Sequence, residues 1–457
     1  MTDAGAWLKQ GFALRDAQQT EEARAAIAKA AALAPKDARI AKANALIHFE
    51  TWQPSVALFQ VAQRLAPDDL FVTHSVAAAL NAEGAPNESR TLLERTLATQ
   101  PEWIDGHKLL TTLRTTAGGG ADSARSFAAA CKARPDNLAL RLAWFHALST
   151  SRDWEAARSV IADGEALLGK QRAFTVASIF LASESGDGAD DPHLFDPVEE
   201  MQDAGLDLCR VRYHLRRDEA DFAEAIAARH IGTAAERTFW PYLSLAWRLQ
   251  GDSRAAWLDG ESPYVDVTDL GMSATELGTL AGKLRALHTQ QAPYSEQSVR
   301  GGTQTDRHLF FNPDPVIQHV KARITNAVRS YIQRLPPHVE AHPLLALPRG
   351  ECLYEGSWSV RLSAQGYHSC HTHNRGWISS ALYVSLPEPK LLGDGPAGWT
   401  SFGTPPPELG LALSPYTQIE PKPGRLVLFP STMWHGTKPF DGGERLTIAF
   451  DVCLPRG

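Results

Sequence analysis

Three histidines and one arginine in the C-terminal third of the chain have the types and spacing of a metal site. His371 and His373 are two residues apart, His435 follows 62 residues after His373, and Arg445 comes ten residues later. Residues two apart on a strand point to the same face, so His371 and His373 can offer imidazoles to one ion that a distant His435 completes. Arg445 on the next strand can hold a carboxylate beside the metal. We therefore predict a non-haem iron site with an organic acid co-substrate, in which a histidine replaces the usual carboxylate of a facial triad.

The segments that must position these residues are predicted to be short strands. Strand composition marks residues 358–362, 378–386 (ISSALYVSL), 425–429 and 445–452, and a helix is predicted over 315–334. Residues 387–423 are crowded with proline and glycine, and we predict a long loop there that is a candidate lid or substrate loop. Many short strands with such turns indicate an all-β sandwich or barrel.

The first 170 residues repeat with a period near 34. Pro35, Pro67, Pro101 and Pro135 are 32 or 34 residues apart, and twelve residues before each stands a small residue, namely Ala23, Ser55, Ser89 or Ser123. Each proline is expected to end a helix, and each small residue to let one helix approach the next. This pattern resembles tetratricopeptide repeats, which stack into a solenoid with a concave surface. Further helices are predicted over 199–216 and 219–228, after an acidic Gly/Pro-rich linker at 183–198.

Composition narrows the class of protein. The net charge of −7 without a basic block offers no footprint for nucleic acid. No apolar run is long enough for a membrane span, and the N-terminus lacks the features of a signal peptide. Five scattered cysteines are typical of reduced thiols, which favours a cytoplasmic protein and suits ferrous iron.

Several motifs in the right order resemble one known family. Residues 424–450 resemble the C-terminal half of the double-stranded β-helix of Fe(II)/2-oxoglutarate-dependent oxygenases, and residues 371–387 resemble the first ligand strand. More narrowly, residues 297–305 (QSVRGGTQT), residues 358–362 and the LFPS…WH element are similar to oxygenases fused to tetratricopeptide-like repeats.

The resemblance implies a multidomain α + β chain. We expect a tetratricopeptide-like solenoid over residues 1–182, a further helical region over 183–285, and a double-stranded β-helix, or jelly-roll, oxygenase domain over 286–457.

The resemblance also assigns roles to residues. It implies Fe(II) held by His371 and His435, 2-oxoglutarate chelating the metal with its distal carboxylate on Arg445, and O2 as the oxidant. The Thr447 hydroxyl, two residues along the same strand face, is expected to donate to that carboxylate, and Tyr383 to line the co-substrate pocket.

His373 stands where the family has Asp or Glu, and three accounts of it stay open. His373 is a third ligand, or the metal has only two protein ligands and His373 or Asn374 orients the ligands and water through hydrogen bonds, or a distant carboxylate such as Asp394 takes the third place. Neighbouring candidates have simpler interpretations as structural or solvated residues: His368, Cys370, Trp377, Arg300, Arg361 and Arg375.

The predicted function is hydroxylation of a peptide or protein substrate that docks with help from the repeats. The alternatives are a small-molecule hydroxylase whose repeats serve assembly, with a homodimer as one assembly, and a non-catalytic repeat scaffold with a retired jelly-roll. Retention of both His435 and Arg445 argues against the scaffold, because a purely structural barrel needs neither.

Overall fold

A computed structural model describes residues 3–260 and 264–455 of the chain. Contacts divide the chain into two units, the first comprising Met1–Ala143 with Asp306–Gln318 and the second Trp144–Thr305 with His319–Gly457. Two of the three division points fall inside helices α9 (Leu138–Thr150) and α17 (Pro315–Arg334), the second of which has the bounds predicted from the sequence. The three sequence-based domain boundaries stay a prediction.

The first unit is built of helix pairs. Its complete helices are α1 (Ala4–Asp16), α2 (Thr20–Leu33), α3 (Ala38–Glu50), α4 (Val56–Leu65), α5 (Leu70–Ala82), α6 (Pro86–Thr99), α7 (Ile104–Thr116) and α8 (Arg125–Ala133), with 3-10 turns at Gly120–Ala124 and Leu309–Phe311. The four repeat prolines each lie two residues beyond the end of α2, α4, α6 or α8. The four small residues are all buried, and Ser89 Oγ donates to the Ala77 carbonyl of the preceding helix at 2.6 Å. The predicted repeats are therefore confirmed, and close helix approach explains the small residues.

The same repeat period continues past the first unit. The first helices of successive pairs begin at residues 4, 38, 70, 104, 138, 172, 204 and 236, so that their starts are 32 or 34 residues apart. The turn within each pair holds one residue at positive φ, a conformation that glycine adopts without strain. Four of these positions are glycine (84, 118, 186 and 251), and four carry side chains: Gln18, Trp52, Arg152 and Asp218.

The second unit contains further helices and both sheets. Its remaining helices are α10 (Trp154–Leu168), α11 (Arg172–Ser185), α12 (Ala204–Arg216), α13 (Ala220–Ala228), α14 (Glu236–Gln250), α15 (Arg254–Asp259), α16 (Ala274–Leu287) and α18 (Pro389–Leu392), with 3-10 turns at Asp196–Val198 and Pro407–Leu409. The helix predicted over 199–216 starts late, at Ala204, because the Asp203 carboxylate accepts from the Leu206 amide and caps it there.

Two antiparallel sheets form the jelly-roll. The strands are β1 (Asp266–Asp269), β2 (Val299–Gln304), β3 (Tyr354–His368), β4 (Gly376–Ser385), β5 (Thr400–Phe402), β6 (Thr417–Ile419), β7 (Arg425–Pro430), β8 (His435–Thr437) and β9 (Arg445–Cys453). One sheet has the order β1-β7-β4-β9-β3-β2 and the other β6-β5-β8. The four predicted strands and the predicted fold class are confirmed.

The prediction of a plain loop over residues 387–423 was wrong. That segment contributes β5 and β6, two of the three strands of the smaller sheet. Each is only three residues long and lies between turns rich in proline and glycine, so neither produces a recognisable alternating pattern. The segment is therefore part of the β-sandwich, and its turns carry the irregular backbone.

Helices α12–α15 pack directly on the jelly-roll. Trp434, on the turn before β8, lies in one core with these helices, and its indole Nε1 donates to the Pro241 carbonyl of α14 at 2.9 Å. The ring of Tyr242 meets Trp434 edge-on at 5.4 Å between centroids. Trp240 and Trp247 are buried in the same core. Across the described part of the chain, no helix combines the length and hydropathy needed to span a membrane.

Replacing glycine by alanine should have opposite effects on stability in a repeat turn and inside a helix. Gly251 has a φ of +69° and Gly278 lies inside α16, and an added Cβ would meet nothing within 4 Å at either site. Gly251→Ala should therefore lower the free energy of unfolding by about 1 kcal/mol through backbone strain. Gly278→Ala should raise it by roughly 0.5–1 kcal/mol through helix propensity. Urea unfolding of both variants tests this, and a change of the same sign in both would contradict it.

Candidate metal centre

Two chain segments that are distant in sequence bring the three histidines together. His371 and His373 lie in the connection between β3 and β4, and His435 begins β8. His371 and His435 exchange two backbone hydrogen bonds, of 2.9 and 3.1 Å, and the His373 amide donates to the Ser431 carbonyl at 2.8 Å. The expectation that both histidines lie on a regular strand was wrong, because β3 ends at His368 and only His371 makes a bridge. The pairing with residues 431–435 nevertheless aims both side chains at one point.

The three imidazoles form a compact group. One ring nitrogen from each of His371, His373 and His435 lies within 4.8 Å of the others. Ring centroids are 4.2 Å apart for His371 and His435, and about 5 Å apart for either of them and His373. No other His, Cys, Asp or Glu of residues 3–260 and 264–455 joins this group, and Asp394 is exposed. The geometry does not bring the proposed distant carboxylate to the site.

The hydrogen bonds of the rings fix which nitrogen is free. The Nδ1 atoms of His371 and His435 contact the carbonyls of Ser369 (2.8 Å) and Met433 (3.0 Å), and His373 Nδ1 contacts the Asp451 carboxylate at 2.6 Å. Because these oxygens only accept, each Nδ1 must carry the proton. In neutral rings, all three Nε2 lone pairs are then left for a ligand, which is the donor set that a transition metal accepts from histidine.

Burial keeps two of the rings neutral. It lowers the pKa of His371 to about 3, with the charge of His373 adding to the effect, and it lowers the pKa of His435 well below the ordinary value. Burial also lowers the pKa of His373, but the charge and hydrogen bond of Asp451 outweigh it and the net pKa is raised. A neutral imidazole is the form that binds metal, so His371 and His435 are ready to do so at neutral pH.

Asp451 is a site residue that the sequence-based prediction missed. Its carboxylate is buried, and it accepts from His373 Nδ1 through Oδ2 and from Ser379 Oγ (2.6 Å) through Oδ1. Asp451 therefore fixes the orientation and the protonated nitrogen of His373, as carboxylates do behind metal-binding histidines. A signal was present, because Arg445, Thr447 and Asp451 share one face of β9 by the period of two.

Arg445 is a buried cation with unused donors. It is 2 % exposed, and its Nε and Nη1 atoms have no hydrogen-bond partner among the residues described. Its guanidinium carbon lies 5.0 Å from the centre of the Tyr383 ring, and Thr447 is buried on the same strand face. Leaving such donors unsatisfied is costly, so the arrangement fits a ligand carboxylate that would accept from both.

Aromatic side chains connect this arginine with the histidines. Tyr383, Phe402, Val427, Phe429 and Met433 form one buried cluster. The Phe429 ring lies 4.5 Å from that of His435, and Tyr383 donates to or accepts from Thr400 Oγ1 at 2.7 Å. The space between Arg445 and the imidazoles therefore has apolar walls, which strengthen charge–charge contacts inside it.

The other singled-out residues have structural partners. His368 Nδ1 contacts Ser298 Oγ at 3.1 Å, Trp377 Nε1 donates to the Leu344 carbonyl, and Arg300 donates to the carbonyls of Gln297 and Val299. Arg361 pairs with Glu444 and Arg375 with Glu355. The five cysteines are free thiols, and burial raises the pKa of Cys370 beside His371.

Asp451→Asn tests the role of this carboxylate as a positioning residue. The variant should weaken Fe(II) binding by about 10- to 100-fold, the usual cost of removing a carboxylate behind a ligand histidine. Anaerobic Fe(II) titration measures this, and the melting temperature serves as the check on folding. Asp394→Asn is the matched control and should bind Fe(II) as the native chain does. Equal affinities in both variants would remove Asp451 from the site.

Comparisons with known proteins agree with this geometry. A family model described as "Putative 2OG-Fe(II) oxygenase" matches residues 356–451. A search of curated proteins gave no significant match.

Searches against solved structures also gave partial matches. A viral collagen prolyl hydroxylase from Paramecium Bursaria Chlorella virus-1 is 16% identical, with 44% of this chain and 99% of that chain covered and a TM-score of 0.30. A prolyl-4-hydroxylase from Pseudomonas putida is 17% identical, with 42% of this chain and 93% of that chain covered and a TM-score of 0.29. A tetratricopeptide repeat protein from Parabacteroides merdae is 11% identical, with 53% of this chain and 98% of that chain covered and a TM-score of 0.35.

The family match includes His371, His373, His435 and Arg445. The predicted resemblance is confirmed, and with it the cofactors that this family uses, Fe(II), 2-oxoglutarate and O2. Residues 356–451 are thus similar to 2-oxoglutarate- and Fe(II)-dependent oxygenases, and tetratricopeptide-like repeats lie ahead of them in the chain.

Proposed function

We propose that His371, His373 and His435 hold Fe(II) through their Nε2 atoms and that Arg445 holds the distal carboxylate of 2-oxoglutarate. One observation carries this assignment: three imidazoles with free Nε2 atoms and a buried arginine with free donors belong to one β-sandwich. Thr447 and Tyr383 are proposed to line the co-substrate pocket beside Arg445. When bound, Fe(II) supplies the oxidative decarboxylation of 2-oxoglutarate that is coupled to hydroxylation of a C–H bond.

The chain's own residues prepare the site. Asp451 keeps the proton on His373 Nδ1, and the carbonyls of Ser369 and Met433 do the same for His371 and His435. Three neutral imidazoles leave the site one unit more positive than two imidazoles and a carboxylate would. We infer that the anionic co-substrate is held more strongly for that reason, and that the apolar cluster around Phe429 excludes water from it.

We propose a peptide or protein as the substrate. Support comes from the second unit, in which helices α12–α15 share a core with Trp434, the residue next to His435. A substrate segment bound along these helices would therefore be held at a fixed position relative to the metal site. A small-molecule substrate would not need this attachment. We further propose a cytoplasmic location, which five free thiols support.

Anaerobic addition of Fe(II) and 2-oxoglutarate tests the function directly. The complex should develop a weak visible charge-transfer band, and admission of air should release succinate. Peptides with an added oxygen atom, detected by mass spectrometry, would support the proposed substrate class. Tight Zn binding without any effect of 2-oxoglutarate would instead indicate a hydrolase, and absence of both band and succinate would favour a scaffold.

His435→Ala should abolish Fe(II) binding and leave the fold largely intact. The fold is retained because alanine keeps the two backbone hydrogen bonds with His371, whereas the imidazole that would bind iron is lost. Anaerobic Fe(II) titration and far-UV circular dichroism measure the two effects. Native affinity in a folded variant would exclude His435 as a ligand.

Arg445→Ala should weaken 2-oxoglutarate binding by about 100-fold, the loss expected for a charge-assisted bidentate contact, with little loss of Fe(II). Arg445→Lys should recover only part of the affinity, because a lysine cannot present two parallel donors. The charge-transfer band, titrated with 2-oxoglutarate, measures both variants. If co-substrate affinity survives in Arg445→Ala, another residue binds the distal carboxylate.

A further inference from the structure

A polar cavity lies apart from the metal centre in the second unit. It has a volume of about 360 Å³ and is lined by residues of α9, α10, α11 and α12, the turn after α9, and the 3-10 turn that carries Glu408. Trp154 and Phe180 contribute aromatic surface to its wall. None of the residues of this cavity takes part in the site described above.

The cavity has more positive than negative charge. It contains three arginines and two glutamates, of which Arg152 pairs with Glu408 (2.5 Å) and Arg212 with Glu184 (2.7 Å). Arg216 donates only to the carbonyls of Ser183 and Glu408, with no carboxylate of the described chain paired to it. Arg212 Nε is buried and lacks a partner within the described residues. The cavity therefore has one positive charge, on Arg216, that a further negative group can neutralise.

Arg152 occupies a backbone position that disfavours it. Its φ is +60°, and the equivalent turns of the neighbouring repeats have glycine, at Gly118 and Gly186. A side chain in this conformation costs free energy that glycine would not, and such strain often marks a functional position. About half of the Arg152 side chain is exposed at the rim of the cavity. Arg152 thus presents an accessible guanidinium at the cavity entrance from a strained backbone position.

The cavity is connected to the metal site through the smaller sheet. Glu408 follows β5 by six residues, and β5 pairs with β8 so that Phe402 faces His435. The segment that carries Glu408 therefore continues from the strand that pairs with His435.

We propose that this cavity binds a carboxylate side chain of an acidic peptide substrate, with Arg152, Arg212 and Arg216 as its cationic residues and Glu408 as the internal group that the substrate displaces from Arg152. This inference rests on the proposed function, because it names the class of peptide that the oxygenase takes. A peptide with Asp or Glu near the hydroxylated residue would gain one ion pair and neutralise the positive charge of Arg216.

Two variants with opposite expected effects test the proposal. The probes are two mixtures of short, terminally blocked random peptides, one containing Asp and Glu and the other Asn and Gln in their place. Full-length protein with Fe(II) and 2-oxoglutarate, kept anaerobic, should retain the acidic mixture preferentially. Arg152→Gly should weaken that retention about fivefold, the value of one half-exposed ion pair. Glu408→Gln should strengthen it, because Arg152 is then released.

Gln18→Gly is the matched control, since it makes the same change at the same turn of the first repeat. It should leave retention of both mixtures unchanged. Equal retention of the two mixtures by the native chain, or effects of the same sign in Arg152→Gly and Glu408→Gln, would overturn the cavity proposal. Admission of air distinguishes failure of the cavity proposal from failure of the proposed function. If oxygen is added to acidic and neutral peptides equally, only the cavity proposal is contradicted. If succinate forms but no peptide is retained or oxidised, both the proposed peptide substrate and the cavity proposal are contradicted.

Discussion

The pairing between residues 371–373 and 431–435 is the contact on which the site depends. Backbone hydrogen bonds from His371 to His435 and from His373 to Ser431 join the β3–β4 connection to the start of β8. Without them, the three imidazoles would belong to two independent loops. With them, the rings are placed by main-chain geometry, and only the rotation of each ring is left to side-chain contacts. Those contacts are supplied by two carbonyls and by Asp451.

The surrounding elements stabilise that pairing from several sides. β8 is held in the smaller sheet by β5, and Trp434 just before it is fixed in the core of helices α12–α15. On the other side, Ser379 of β4 and Asp451 of β9 form a buried hydrogen bond behind His373. A helix of the repeat series and two strands of the larger sheet thus converge on the candidate metal centre. The oxygenase fold and the helical region next to it are parts of one core in the second unit.

Sequence patterns predicted the parts of this structure that rest on local chemistry. The repeat period follows from prolines that end helices and small residues that let helices touch, and both are local signals. The strands around 378–386 and 445–452 have composition typical of buried strands and were predicted correctly. β5 and β6 were not, because three-residue strands between prolines carry no periodic pattern.

The site was predictable where a residue type has few other uses. His371, His435 and Arg445 stand out by type and order, and the structure brings the histidines together. Asp451 was missed because a carboxylate on a strand is common and its meaning depends on His373, which lies 78 residues away in sequence. The cavity around Arg216 could not be predicted for the same reason, because its charged residues come from two helices, the turn after α9 and a 3-10 turn far along the chain. Only the fold shows which of them lack a partner.

The most direct measurement is a crystal structure of the protein with Fe(II) and 2-oxoglutarate, grown without oxygen and with iron located by its anomalous scattering. The account predicts iron bound by Nε2 of His371, His373 and His435, with His373 still bonded to Asp451 and the distal carboxylate on Arg445. Iron held by His371 and His435 alone, with His373 Nε2 turned away from the metal, would contradict it.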